Sequence, residues 1–428
     1  MTNWQINSSA LGGALTLPPS KSQTLRAILF ATLASGTSLI YQYLKSPDTD
    51  AMIAACRLVG GIVKEAGDLL RITGVGGRLH LNRGEIDAGN SGIVLRFMTA
   101  IAALSSTPLL MTGDHSICYQ RPIEPLVAAL KQWNVEIIST KDDGFAPLII
   151  KGPINGIEAT VEGQDSQFVS ALLIAGAFSA GPKIIRVENP GEKPWVDLTL
   201  DWFDRLAIPY AREGYACYRL EGNSMIDAFE YHVPGDLSTM AFPLIAGLIT
   251  GSRLTLKNVN LEDPQGDKKI VEILETMGAP ISYDADVNEL KTLGSAELNG
   301  CSIDVNDCID VVPILSVAGA FAKGKTTIRN ASVARCKECN RLEAMAQQLK
   351  KMGANIIETE DGLIVSHSTL SPAAVRTYDD HRVAMALAVA ALGTKGTTTV
   401  QGVGCVAKTY RLFFQDFVSI GADIKVSG

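Results

Sequence analysis

The chain has 428 residues, 46% hydrophobic and 19% charged, an ordinary globular composition and more chain than one hydrophobic core usually serves, so two domains are expected. Its 38 basic and 45 acidic residues are intermixed and sum to a formal charge of -7, which leaves no basic face for nucleic acid and confines any phosphate binding to a local site. Met1 to Ser20 lacks the basic-then-apolar order of a signal peptide, and the longest apolar runs, Phe168 to Phe178 and Val383 to Leu392, fall well short of a membrane span. The eight scattered cysteines do not form a disulfide framework, and the expectation is a cytoplasmic protein with free thiols, no nucleic-acid partner and no membrane.

Taken in chain order, the predicted elements repeat. An apolar helical stretch, a small-residue break and a β-branched strand come first as RAILFATLASGTSLI. They return as LRFMTAIAALSSTPLL, SALLIAGAFSAGPKII, AFPLIAGLITGSRLTL, ILSVAGAFAKGKTTI and MALAVAALGTKGTTTV. The breaks are Gly36, Ser106, Gly181, Gly251, Gly324 and Gly396, in steps of 70 to 75 residues. A second series interleaves with the first, an amphipathic helix turning into a short strand at Gly61, Asn134, Ala207, Gly278, Gly353 and Gly421. Each copy reads β-α-β-α-β-β, the first helix apolar all round and so buried, the second half exposed. The small residue after each helix supplies a left-handed cap. Three copies per domain put residues 20–234 in a first lobe and 1–19 plus 235–428 in a second, with hinges near 18–21 and 232–236, where Pro234-Gly235 suits a linker.

The starts of the six apolar helices collect polar residues: Ser20-Lys21-Ser22 with Arg26, Gly89-Asn90-Ser91-Gly92, Gln164-Asp165-Ser166-Gln167, Gly235-Asp236-Leu237-Ser238, Asp307-Cys308-Ile309-Asp310 and Asp379-Asp380-His381-Arg382. Ser, Asp and Asn there are read first as caps for unpaired N–H groups. Capping does not account for Lys21, Arg26, Arg96, His381 or Arg382, since cations oppose the helix dipole at that end and call for an anion. Six such starts facing one cleft make a site for phosphate and carboxylate groups. The second helices add Gln120-Arg121-Pro122, the run from Arg335 to Arg341, and Lys408-Thr409-Tyr410.

Three motifs are set aside. Gly319 to Thr326 matches the P-loop letters, but a helix precedes it and a strand follows, the reverse of a P-loop. Cys336 and Cys339 form a CxxC without a second pair or histidines at zinc spacing. Cys118 is a lone cysteine in a loop and reads as inert.

Together these residues resemble the enolpyruvyl transferases, on the side of that family that acts on shikimate 3-phosphate. The likeness spans nearly the whole chain and is carried by Lys21-Ser22 with Arg26, Gly89 to Gly92, Gln120-Arg121-Pro122, Ser166-Gln167-Phe168, Pro234-Gly235-Asp236, Gln265-Gly266-Asp267, Lys337-Glu338 with Arg341, Asp380-His381-Arg382 and Lys408-Thr409. It implies two similar α/β domains of three βαβαββ units each, the inside-out barrel of that family, with a cleft between them. It also implies transfer of the enolpyruvyl group of phosphoenolpyruvate to the 5-hydroxyl of shikimate 3-phosphate through a tetrahedral ketal, with release of phosphate. By the resemblance Lys21, Gly92, Arg121, Gln167, Arg341, Arg382 and Lys408 meet phosphoenolpyruvate. Lys21, Ser22, Arg26, Asp165, Ser166, Gln167, Asp310 and Lys337 meet shikimate 3-phosphate. Lys21 and Glu338 are the candidates for moving the carbon-bound proton and Asp310 for taking the hydroxyl proton; His381 and Lys408 complete the catalytic set. No metal or organic cofactor is implied, and a monomer is expected. The alternatives are the relative that acts on UDP-N-acetylglucosamine and a non-catalytic anion-binding paralogue. The first is disfavoured by Lys21-Ser22 in place of Lys-Asn and by Ser116 where that relative carries a reactive cysteine.

The chain departs from the family pattern in places. Asp165 and Glu192 stand where serines are usual, and two carboxylates facing a phosphate repel it unless a cation intervenes, for which Lys193 is the neighbour at hand. Asn340, Val333 and Ile93 stand for an aspartate, an asparagine and a threonine; glyphosate, which occupies the phosphoenolpyruvate site in this family, is expected to bind beside Gly92, weakened by Ile93.

Overall fold

The computed structural model describes residues 2–81, 84–295 and 297–427. The chain divides into two compact units, Pro19–Val233 and Met1–Pro18 with Pro234–Gly428, here called the inserted and the terminal unit. The inserted unit carries α1 (Lys21–Leu33), α2 (Pro47–Leu58), α3 (Gly92–Ala102), α4 (His115–Tyr119), α5 (Glu124–Gln132), α6 (Ser166–Phe178) and α7 (Lys193–Arg205). The terminal unit carries α8 (Leu237–Ile249), α9 (Ile270–Thr276), α10 (Val312–Phe321), α11 (Arg341–Lys351), α12 (His381–Leu392) and α13 (Phe413–Ser419).

Among the described residues six sheets of four strands accompany them, three in each unit, and all share one order. In the sheet around α3 and α5, Gly84–Asp87 runs parallel to Leu109–Thr112, which pairs antiparallel with Leu148–Lys151, and that strand with Glu136–Ser139. The sequence reading of six copies therefore appears as six sheets, but three strands are supplied from a distance. Glu230–His232 closes the inserted unit by pairing parallel with Thr37–Tyr41. In the terminal unit Gly12–Thr16 pairs parallel with Arg253–Lys257, and Asn3–Asn7 lies between Thr397–Gln401 and Ile424–Ser427. A chain of contiguous copies would leave these partners as open edges; borrowing a strand from elsewhere in the chain satisfies their backbone groups.

Each unit has its own core. In the inserted unit α1, α3 and α6 pack together, with α3 buried along its whole length, and Phe30 stacks on Trp202 at 5.4 Å. Truncating Phe30 to Ala is expected to cost about 3–5 kcal/mol through the cavity it leaves. In the terminal unit all residues of α12 are buried against α8 and α10. Turns follow the expected chemistry: Gly36, Gly181, Gly251, Gly324 and Gly396 end first helices with positive φ, whereas Ser106 does not. After α2 the left-handed residue is Gly60, one position before the predicted Gly61. The P-loop lookalike is helix α10 running through Gly324 (φ 78°) into the strand Lys325–Arg329, so it cradles no phosphate.

Candidate functional site

In the inserted unit the starts of α1, α3 and α6 are capped as expected. Ser20, Ser91 and Asp165 accept hydrogen bonds from the N–H of Gln23, Val94 and Gln167. Cations crowd the same ends. Lys21 Nζ lies 3.5 Å from Asp48. Arg26 is 3% exposed and donates only to neutral oxygens: Thr199 Oγ1 at 3.0 Å and the carbonyls of Trp195 and Ser22 at 3.3 Å. Its guanidinium also sits 5.2 Å from the centre of the Phe97 ring on α3, and burial pushes its pKa down to about 9. Arg96 donates to Pro122 O at 3.0 Å and Gln167 Oε1 at 3.4 Å and lies 3.7 Å from Asp165. Gly92 is where these groups converge: a Cβ there would stand 2.6 Å from Arg121 Nη1 and would also overlap Arg96 Nη1. The space beside Gly92 is thus taken up by guanidinium. Ile93 is buried in the core.

The α6 start holds a feature the sequence did not disclose. Ser166 donates through both N–H and Oγ to Glu192 Oε2, at 3.0 and 2.9 Å. Asp165 is offset by Arg96, and the ammonium of Lys193, the cation expected to shield these carboxylates, lies over the Tyr215 ring at 5.5 Å. Lys193 is exposed while Glu192 is buried; the first residue of α7 points its long chain to solvent.

The terminal unit gathers its charges differently. Arg341, 1% exposed, binds three carboxylates at once: Asp380 from Nε at 2.7 Å, Asp310 from Nη1 at 2.6 Å and Glu338 from Nη2 at 2.8 Å. Burial alone would lower its pKa, but the three carboxylates outweigh that and hold it well above the usual arginine value. Arg382 Nη2 donates to Asp310 at 2.8 Å, while its buried Nε and Nη1 have no hydrogen-bond partner among the described residues. Lys408 Nζ lies 2.8 Å from Glu338 Oε1, and His381 Nδ1 lies 3.9 Å from that oxygen and 4.0 Å from Asp380 Oδ1. Asp380 also caps α12 through the N–H of Arg382 and Val383. Lys337 is buried at the end of the turn Ser332–Cys336. Behind them Asp267, on the turn Gly266–Lys269, is fully buried; burial first and Asp310 second push its pKa up to about 8, against the pull of Arg382.

Glu338, Asp380 and His381 offer ligand atoms within 4.8 Å of one another, the separation a metal ion asks for. Both carboxylates are already engaged by Arg341 and Lys408, whose positive charge repels a cation. The donor set therefore suits ion pairing and does not fit a metal.

Of the residues singled out from sequence, Lys21, Ser22, Arg26, Gly92, Arg121, Asp165, Ser166 and Gln167 belong to the inserted unit, and Asp310, Lys337, Glu338, Arg341, His381, Arg382 and Lys408 to the terminal unit. Arg335 is not with them: it holds Glu358 and the carbonyls of Thr359 and Glu360. Asn340 keeps a cap's duty, accepting from the N–H of Glu343 at 3.3 Å. Cys118 donates to Gly113 O at 3.4 Å, and among the described residues all eight cysteines are free. Sequence reasoning missed Asp48, Thr199 and Asp380 as partners. Asp267 lay within a quoted motif but without a role; its place directly after Gly266 was the available signal.

Two units of three βαβαββ copies, with buried cations and carboxylates at the starts of their inner helices, define an α/β transferase fold for small anionic substrates. Among solved structures the fold is similar to EPSP synthase from Acinetobacter baumannii, with TM-score 0.84, 27% identity and full coverage of both chains. The enolpyruvyl transferase NikO from Streptomyces tendae shares the fold at TM-score 0.79 and 18% identity, covering 100% of this chain and 99% of that one. The family model described as EPSP synthase (3-phosphoshikimate 1-carboxyvinyltransferase) matches residues 6–417, and the chain belongs to that family. Relatives named 3-phosphoshikimate 1-carboxyvinyltransferase include those of Chlamydia muridarum, 42% identical over 98% of this chain and 95% of the relative, and Chlamydia pneumoniae, 40% identical over 97% and 93%. Among the described residues no helix is long and apolar enough to cross a membrane.

Proposed function

We propose that the chain transfers the enolpyruvyl group of phosphoenolpyruvate to the 5-hydroxyl of shikimate 3-phosphate and releases phosphate, with the charged residues of the two units in separate roles. The transfer is the activity for which its family and its 40%-identical relatives are named. The observation that supports the division of roles is that Arg26 meets no carboxylate among the described residues, whereas Arg341 meets three.

Arg26, Ser22, Ser166, Gln167 and Asp165 receive the acceptor: a buried guanidinium with only neutral partners gains most from an anion, which restores the charge state that burial opposes. Lys21, Gly92, Arg121 and Gln167 meet phosphoenolpyruvate, Gly92 because its missing Cβ lets two guanidinium groups approach the α3 start. Arg341, Arg382 and Lys408 also face this compact polyanion; Arg341 has used three of its five N–H groups and Arg382 keeps two nitrogens unengaged. Lys337 adds a cation for the acceptor.

For the reaction, Asp310 takes the proton from the attacking hydroxyl, and its ties to Arg341 and Arg382 hold it in place. Glu338, joined to Lys408 and Arg341, passes to the vinyl carbon a proton taken from the Lys408 ammonium, with Lys21 and His381 completing the set that withdraws the carbon-bound proton again when phosphate leaves. Buried cations stabilise charge growing on the departing phosphate without reorganising. The protein acts as a monomer in the cytoplasm, and glyphosate binds at the phosphoenolpyruvate position.

Phosphate release tests the assignment. Release is expected when phosphoenolpyruvate and shikimate 3-phosphate are both present and not with either alone. Release with UDP-N-acetylglucosamine in place of shikimate 3-phosphate would assign the chain to the other branch, and absence of release with both would make it a binding protein.

A further inference from the structure

One helix start of the inserted unit, that of α6, already holds a carboxyl group. A helix start with unpaired N–H groups stabilises negative charge, and α6 is 13 residues long. The two donors it offers at Ser166, N–H and Oγ–H, both go to one oxygen of Glu192. Glu192 is 2% exposed and Ser166 3%, so the contact is shielded from water, where a charge-assisted hydrogen bond is strongest.

The backbone fixes this carboxylate in place. Glu192 adopts φ 44° and ψ 41°, a left-handed conformation that a non-glycine residue keeps only where its surroundings enforce it. Gly191 donates its N–H to Gly163 O at 2.9 Å, and a Cβ on Gly191 would come within 2.8 Å of the Gln164 carbonyl oxygen. On the other side Trp195 donates its N–H to Glu192 O at 2.9 Å as α7 begins. The loop between Asn189 and Glu192 is therefore a packed bracket.

We propose that Glu192 is a specificity-determining residue for the acceptor, a resident anion that the acceptor's own phosphate must displace from Ser166. A phosphate bears more charge than a carboxylate and has three acceptor oxygens, so it can win the exchange. A singly charged or neutral group at that position does not. Affinity for the acceptor is reduced by the fraction of molecules in which Glu192 still occupies the donors, while affinity for phosphoenolpyruvate is not. This inference rests on the reading above that Ser166 meets the acceptor.

The test is the KM for shikimate 3-phosphate in Glu192→Gln and Glu192→Ser, with that for phosphoenolpyruvate measured alongside. Removing the resident charge is expected to lower the acceptor KM about tenfold in either variant, the population-shift effect of freeing the donors, and to leave the phosphoenolpyruvate KM in place. If Glu192 merely braces the loop, the acceptor KM rises or stays unchanged in Glu192→Gln while its thermal midpoint matches the parent's, and the proposal is overturned. Should Glu192→Ser unfold, the nearly isosteric Gln variant alone decides. Ser166→Ala separates the two layers: a raised acceptor KM upholds the placement of Ser166, so that an unresponsive Glu192→Gln then counts against this proposal only. An unchanged KM in Ser166→Ala removes the placement itself.

Discussion

The inner-helix starts of the two units are built from the same parts and solve opposite problems. In the terminal unit Arg341 is enclosed by Asp380, Asp310 and Glu338, with Arg382 and Lys408 joined to the same carboxylates. In the inserted unit Arg26 donates only to neutral oxygens, and Arg96 and Arg121 close on Gly92. A neutralised cluster holds acids and bases at fixed separations, which suits proton movement; a buried cation with neutral partners, as Arg26 is, suits capture of a polyanion. The shared fold thus fixes where charge is placed, and the balance of partners at each place decides what the charge does.

The contrast between the units is most exposed to disproof at Asp310. Asp310→Asn keeps the shape but removes the proposed base, and kcat is expected to fall about 10²- to 10⁴-fold in steady-state phosphate release. A variant with near-parent kcat would remove Asp310 from proton transfer.

Stability separates the two arginines next. Arg341→Met leaves the buried Asp380 without its guanidinium and takes one of two cations from Glu338 and from Asp310, and is expected to cost about 3–5 kcal/mol in denaturant unfolding. Arg26→Met removes a buried charge that has no ionic partner among the described residues, so its unfolding free energy should fall by much less. Its KM for shikimate 3-phosphate should rise by about one to two orders of magnitude, because methionine cannot donate charge-assisted hydrogen bonds to the acceptor. Equal stability losses would show that the two clusters do not differ as described.

A smaller effect is expected at Asp267. Its carboxyl carries a proton in the folded state up to about pH 8 but ionises near the ordinary aspartate value of 3.8 when unfolded. The unfolded chain therefore binds fewer protons across that window, and this group makes the protein progressively less stable as pH rises from about 4 to about 8. Asn does not titrate, so Asp267→Asn should gain stability relative to the parent from about pH 4 to about pH 8. Thermal unfolding at several pH values checks it, and a difference independent of pH contradicts it.

Much of this organisation was legible in the sequence, because it depends on local pattern. The apolar all-round stretch ending at Gly36 and its five successors read as buried helices since nothing in them tolerates water, and Ser20, Ser91 and Asp165 read as caps from position alone. What was not legible depends on groups that meet only after folding. No local pattern shows that Asn3–Asn7 completes the sheet of α12, almost four hundred residues away. Arg341 and Glu338 are three residues apart, yet Asp310 and Asp380 reach the same guanidinium from two other helix starts. The meeting of Glu192 with Ser166 depends on a left-handed residue that sequence propensity disfavours at glutamate.

The division of labour is tested most directly by following hydrogen at the vinyl carbon of phosphoenolpyruvate in deuterated water, with saturating shikimate 3-phosphate, in Glu338→Gln and Arg26→Met. No deuterium is expected in phosphoenolpyruvate recovered from Glu338→Gln, and incorporation per turnover in Arg26→Met should equal the parent's once the acceptor is saturating. Deuterium incorporated by Glu338→Gln, or missing from saturated Arg26→Met, would contradict the separation of proton transfer from anion capture.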